Sequence, residues 1–355
     1  MFQAVIRVDA SEQIGLGHIM RCLTLADMLK QRGACTTFIS RRLPKAIYVQ
    51  IKKHGHKIHI LRDKFILLEE ADAVRQILHS FGAIIDLFII DQYEVDYVWE
   101  RCLRPYVKHI AVIDDLANRK HDCDFLLDQN FVENMEGRYD KLVPSECQLF
   151  LGPTNALLRH EFYANAGKVQ LRNKVESVLV SFGGSDPTGE TMKIVQAIRN
   201  GTLPELHYSI VIGGANARAK EIEDQCRQLK NISVHLNAQN MSELILESDI
   251  CIGSPGISTW ERCILGLPSI HIIVADNQLE TAFALEKAGL AWSMGCYNNV
   301  NLCELGNLIT SLQQHPEYIE KMSRDIIDLM ESAVFCKIHP MIDAIFEGGT
   351  SKWKH

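Results

Sequence analysis

The chain has 355 residues, 47% hydrophobic and 23% charged, a balance that excludes a disordered or fibrous protein and a length that suits two α/β domains. A formal net charge of −7 argues against a broad phosphate-backbone footprint, and so against nucleic acid as a partner. No stretch approaches the roughly 18–20 apolar residues of a membrane span, the N-terminus lacks a signal-like pattern, and eleven cysteines without a CxxC pair read as reduced thiols, so a cytoplasmic location without stable membrane insertion is expected.

In chain order, QAVIRV, CTTFIS, KIHIL, DLFIID and HIAVID are short apolar, β-branched runs that read as buried parallel strands. Helical periodicity falls between them, near residues 18–32, 68–80 and 94–103. After a Gly-Pro break the pattern resumes with ESVLVSF, HYSIVIG, ISVHL, DICIG and SIHIIV. The expected organisation is an N-terminal Rossmann-like domain over 1–155, a linker over 156–172, a second Rossmann-like domain over 173–335 and a helical tail over 336–355.

Open α/β sheets bind ligands outside the carboxyl ends of their strands, so the loops there are the candidates. In VDASEQIGLGHIM, Asp9 ends the first strand, while Gly15 and Gly17 allow close backbone approach to a ligand at a helix N-terminus. His18 follows at once. The helix N-terminus disfavours the imidazolium, as a general base requires, although a capping or packed histidine fits the same place. GLGHIM is only a partial GxGxxG, no acid follows the second strand for a ribose, and no GxxxxGK[ST] occurs, which disfavours nicotinamide and P-loop chemistry. No HExxH or similar spacing suggests a metal.

In the second half, SFGGSDPTGET places Gly184 and Ser185 after a strand, with Asp186 read as the N-cap and Pro187 as the first helical residue. Gly256, Ser258 and Thr259 in GSPGISTWERC offer small residues and N–H groups for a diphosphate. Glu261, one turn on, is placed to accept from ribose hydroxyls, or is a solvated helix carboxylate. Asn277 and Gln278 in ADNQ are amides suited to sugar substituents, or an ordinary polar turn.

The segments RVDASEQIGLGHIMRCLTLA, IIDQYEVD, AVIDDLANR, VSFGGSDP, GSPGISTWERC and ADNQ, in this order, resemble the sugar-nucleotide hydrolase family of pseudaminic acid biosynthesis and the related spore-coat polysaccharide proteins. Gln92 stands where histidine is common in the family, and Asp276 replaces its usual glutamate. The resemblance implies a GT-B-like fold, two Rossmann-like doubly wound domains facing a cleft, with UDP held mainly by the second. It matches His18 to the family's catalytic base and Tyr93 to a tyrosine beside the sugar.

The activity so implied is hydrolysis of a UDP-linked diacetamido-trideoxyhexose by a monomer without cofactor or metal. A GT-B glycosyltransferase passing the sugar to another acceptor, and an inactive UDP-sugar binding module, are the alternatives.

Overall fold

The computed structural model describes residues 1–10, 16–62, 66–335 and 338–351. The chain divides into two compact units, one of residues 1–130, 134–157 and the segment from 336 onward, the other of 131–133 and 158–335.

The first unit is built on a seven-stranded parallel sheet: β1 (Gln3–Val8), β2 (Cys35–Ser40), β3 (Lys57–Ile60), β4 (Ile85–Asp91), β5 (Val107–Ile113), β6 (Phe125–Asp128) and β7 (Gln148–Leu151), in the order β3-β2-β1-β4-β5-β6-β7. The apolar runs are continuous because helices cover both faces. Ala4, Ile6 and Val8 of β1 pack with Ile19, Cys22 and Leu25 of the helix Gly17–Gln31. Val5, on the other face, joins Val74 and Leu78 of the helix Leu67–Ser80. The helix Pro340–Ser351 adds Met341, Ile342 and Ile345 to the first of these cores, so the C-terminal segment belongs to the N-terminal unit.

The second unit repeats the plan with β8 (Ser177–Ser181), β9 (His207–Ile212), β10 (Ile232–Leu236), β11 (Ile250–Gly253), β12 (Ser269–Ile273) and β13 (Trp292–Cys296), in the order β10-β9-β8-β11-β12-β13, all parallel. In each sheet the order reverses beside the first strand, between β1 and β4 and between β8 and β11. That is where doubly wound sheets open a crevice for ligands. Both units are thus Rossmann-like, and the fold is GT-B-like.

Two details depart from the expectations. Residues 158–172 pack with the second unit instead of forming a free linker, and include the helix His160–Asn165. Arg172, 6% exposed, donates to the carbonyl of Gln170 and to those of Ile245, Ser248 and Leu265, which lie in the last turn of or just beyond the helices Met241–Leu246 and Ser258–Ile264. Burial lowers its pKa to about 10, and orphan carbonyls at helix ends supply the negative potential that keeps a cation there.

The second departure is the start of the helix Glu190–Arg199. Its N-cap is Gly189 in the left-handed conformation, and neither Asp186 nor Pro187 occupies the expected position. Asp186 still caps the helix from upstream, accepting the N–H groups of Glu190 and Thr191 at 2.9 and 3.0 Å. The left-handed turn at Gly189 folds the loop back so that the carboxylate reaches the helix end.

Candidate functional site

In the first unit the β1 and β4 ends bring together residues that are far apart in sequence. His18 is the second residue of the helix Gly17–Gln31, and its Nδ1 lies 2.6 Å from Oδ1 of Asp91, the last residue of β4. Arg21, one turn after His18, donates from Nε and Nη2 to both Asp91 oxygens at 2.7 Å and from Nη1 to Asp115 at 2.9 Å. Tyr93 donates its hydroxyl to the other Asp115 oxygen at 2.8 Å and sets its ring edge-on to His18, centroids 4.9 Å apart.

Burial opposes the Asp91 charge, but Arg21 and His18 outweigh it and hold the carboxyl well below the usual carboxylate range. Asp115 is shifted the same way, burial again being outweighed chiefly by Arg21. Arg21 Nη2 also approaches His18 Nδ1, at 3.0 Å. The shorter contact to a carboxylate decides the tautomer: Nδ1 carries the proton and donates to Asp91, which leaves Nε2 with its lone pair. The helix has no side-chain N-cap and no acid in its first turn.

Asp9 was expected to touch a ligand, but the structure engages it internally. Its oxygens accept from both Arg7 Nη atoms, Ser40, the Arg41 backbone and side chain, and Gln92. It is 3% exposed, and Arg7 and Arg41 hold its carboxyl below the usual range against the effect of burial. Asp9 therefore ties the ends of β1, β2 and β4 together. Gly17 is exposed and an added Cβ there would meet nothing within 4 Å, so no internal crowding demands a glycine. Gly15 lies outside the described residues.

In the second unit the ends of β8 and β11, and the loops after β8 and β9, approach closely. A Cβ on Gly253 would come within 2.5 Å of the Ser181 carbonyl, and one on Gly213 within 2.3 Å of the Gly184 carbonyl. Both backbones need glycine to approach this far. Gly184 and Ser185 are half-buried in the first of these loops. Gly256, also half-buried, stands beside Gln278, whose Nε2 would lie 3.9 Å from an added Cβ. Gln278 accepts the Val274 N–H through Oε1, and Asn277 is exposed.

Thr259 and Ser258 face Arg262, a fully buried guanidinium that donates to Ser258 Oγ, Thr259 Oγ1, the Ser254 carbonyl and Ser269 Oγ. Thr259, 2% exposed, is thereby part of the support for the loop and does not line its surface. Glu261 is half-buried and pairs with Arg159 at 3.3 Å; burial raises its pKa despite that cation.

Asp91, Arg21, Asp115 and Arg262 were not singled out in the sequence. For Arg21 a local signal exists, since three residues after His18 is one helical turn. Among the described residues no group of three or more His, Cys, Asp or Glu is arranged to hold a metal, and no helix is long and apolar enough to cross a membrane. Surface cavities of about 200 and 680 Å³, beside Tyr97 and His59 respectively, contain none of the residues above.

Residues 178–334 match the Glycosyltransferase family 28 C-terminal domain. The chain is 23% identical over 78% of its length to an uncharacterized protein of Methanocaldococcus jannaschii, and spans only 56% of that protein. It is 26% identical over 81% of its length to the UDP-2,4-diacetamido-2,4,6-trideoxy-beta-L-altropyranose hydrolase of Campylobacter jejuni, covering 97% of it. The whole chain superposes on the whole of Phytolacca americana UGT2, solved with UDP-2fluoro-glucose and pterostilbene, with a TM-score of 0.68 at 11% identity, a likeness of fold.

Proposed function

We propose that this protein hydrolyses a UDP-linked diacetamido-trideoxyhexose to free sugar and UDP, as a step toward a nonulosonic acid such as pseudaminic acid. The observation that carries the reading is the bond from His18 Nδ1 to the buried, ionised Asp91, which leaves Nε2 as a proton acceptor at a helix N-terminus. The similarity to the Campylobacter hydrolase supplies the substrate class.

In this mechanism water attacks the anomeric carbon while its proton passes to His18 Nε2. The bond from that carbon to the UDP oxygen breaks, its electron pair leaves with UDP, and the configuration inverts. Asp91 stays ionised and steadies the imidazolium as it forms, and Arg21 fixes Asp91 in place. Tyr93, held by Asp115, is assigned to the sugar.

UDP is assigned to the second unit. The N–H groups of Gly256, Ile257 and Ser258 carry no hydrogen bond to the described residues and suit a diphosphate, with Gly184 and Ser185 beside them. Glu261 takes the ribose hydroxyls, and Asn277 and Gln278 the sugar's polar substituents. No metal or redox cofactor enters the scheme.

The family 28 match and the UGT2 likeness support a second reading, a glycosyltransferase using the same base with an alcohol in place of water. Incubation with a panel of UDP-diacetamido-trideoxyhexoses in ¹⁸O-water, without any acceptor, separates the two. Free UDP together with label in the sugar is expected. UDP release only when an acceptor alcohol is added would establish the transferase, label in UDP would mean attack at phosphorus, and UDP-sugar binding without turnover under either condition would mean an inactive binder.

A further inference from the structure

Cys123 and Cys147 stand just ahead of the neighbouring strands β6 and β7, with their sulfurs 3.6 Å apart. Cys123 is 1% exposed and Cys147 is half-buried. The segment between them carries three side chains that hold the loop after β5. Asn130 and Arg138 donate to the Asp115 carbonyl at 3.2 and 2.9 Å, and Tyr139 bridges Asp114 and Asp128 at 3.1 and 2.9 Å. Asp115 is in turn the residue on which Arg21 and Tyr93 rest.

We propose that Cys123 and Cys147 are a reversible modification site, oxidised to a disulfide by a small disulfide such as oxidised glutathione, and that the bond slows turnover by shifting the support of Asp115. The more accessible Cys147 thiolate attacks the glutathione disulfide, forming a mixed disulfide and expelling one glutathione thiolate. Cys123 then attacks the Cys147 sulfur, expelling the second glutathione and passing its proton to it. Two cysteine thiols are oxidised and one glutathione disulfide is reduced to two thiols. The neighbouring Cys147 sulfur and burial push the Cys123 thiol up, which keeps it protonated until the mixed disulfide forms beside it and makes its attack the slower of the two steps. A disulfide requires a sulfur separation of about 2.05 Å, so the two must approach by roughly 1.5 Å, and the strand ends that bear them move with the bond.

The effect on turnover rests on the proposed hydrolysis; the modification itself does not. The test equilibrates the full chain in glutathione buffers of increasing oxidised fraction, blocks free thiols, and maps peptides by mass spectrometry. A Cys123–Cys147 cross-link is expected, reversed by dithiothreitol and absent from Cys147→Ser. Oxidation is also expected to alter hydrogen exchange in residues 113–117, which requires no substrate, and to lower kcat several-fold in wild type but not in Cys147→Ser. A stable glutathione adduct on Cys147 with no cross-link overturns the site. A cross-link that leaves exchange and turnover unchanged overturns its coupling to Asp115.

Discussion

The two units share one strand order and place their candidate loops at the same topological point, yet they fill those points with opposite chemistry. At the β1/β4 end stand four ionisable side chains in a chain of contacts, His18, Asp91, Arg21 and Asp115. At the β8/β11 end stand glycines and hydroxyls, braced from behind by the single guanidinium of Arg262. Topology chooses where a ligand can sit; the residue types choose what happens to it. Buried opposed charges set a proton acceptor in one orientation, whereas small residues and N–H groups at a helix start suit a phosphate that is bound without reacting.

The largest expected break in this contrast is His18→Asn. It keeps a polar side chain but removes the acceptor, so kcat should fall by about 10²–10⁴-fold. UDP affinity, measured by titration calorimetry, should be unchanged if UDP binds, as proposed, to the other unit. Wild-type turnover with normal folding in this variant would remove His18 from the mechanism.

Asp91→Asn should lower kcat by about 10²-fold or more, since an amide no longer selects the Nδ1-protonated tautomer. It also leaves Arg21 buried with only Asp115, and breaking a buried pair costs about 3–5 kcal/mol, to be read from the denaturant midpoint. The Asp91 carboxyl is lowered in the fold, so its contribution to stability is present above roughly pH 4 and lost as the pH falls.

Glu261→Ala tests the binding end. A contact made equally in ground and transition states predicts a KM raised about 10-fold with kcat nearly constant. A collapsed kcat at normal KM would move Glu261 into the chemistry.

The smallest effect concerns Asp128, whose carboxyl is raised to about 7 by burial and by the Asp115 charge. Its native state holds a proton more tightly than the unfolded chain, so the stability it contributes is full below roughly pH 4 and lost as the pH rises through about 7. Asp128→Asn should flatten the pH dependence of the denaturant midpoint between those limits. An unchanged slope would mean that Asp128 is ionised across that range.

The ten strands with apolar or β-branched runs were legible, as was the doubly wound plan. β6, β7 and β13 were not: FLLD and QLFL contain no β-branched residue, and WSMGC mixes a glycine with half-buried residues and contains none either. In the candidate site His18 was legible from its place after Gly17, but its partner Asp91 lies 73 residues on and meets it only through the pairing of β1 with β4. Asp9 and Thr259 carried the right residue types at strand and helix ends. What sequence withheld was the neighbours, Arg7 and Arg41 for one and Arg262 for the other, which take up their polar atoms.

Arg172 bears on where the second unit can be cut free. A fragment starting at residue 173 would begin neatly before β8 yet leave the carbonyls of Ile245, Ser248 and Leu265 without their shared donor, and leave Ser323 without the Arg172 N–H. Lysine could not replace it, because one ammonium cannot span the carbonyls that a planar guanidinium reaches together. The smallest autonomous version of this unit therefore begins upstream of its first strand, near Leu158, and in a split or domain-exchanged protein the junction that keeps the helix Ser258–Ile264 in place lies before Arg172, not after it.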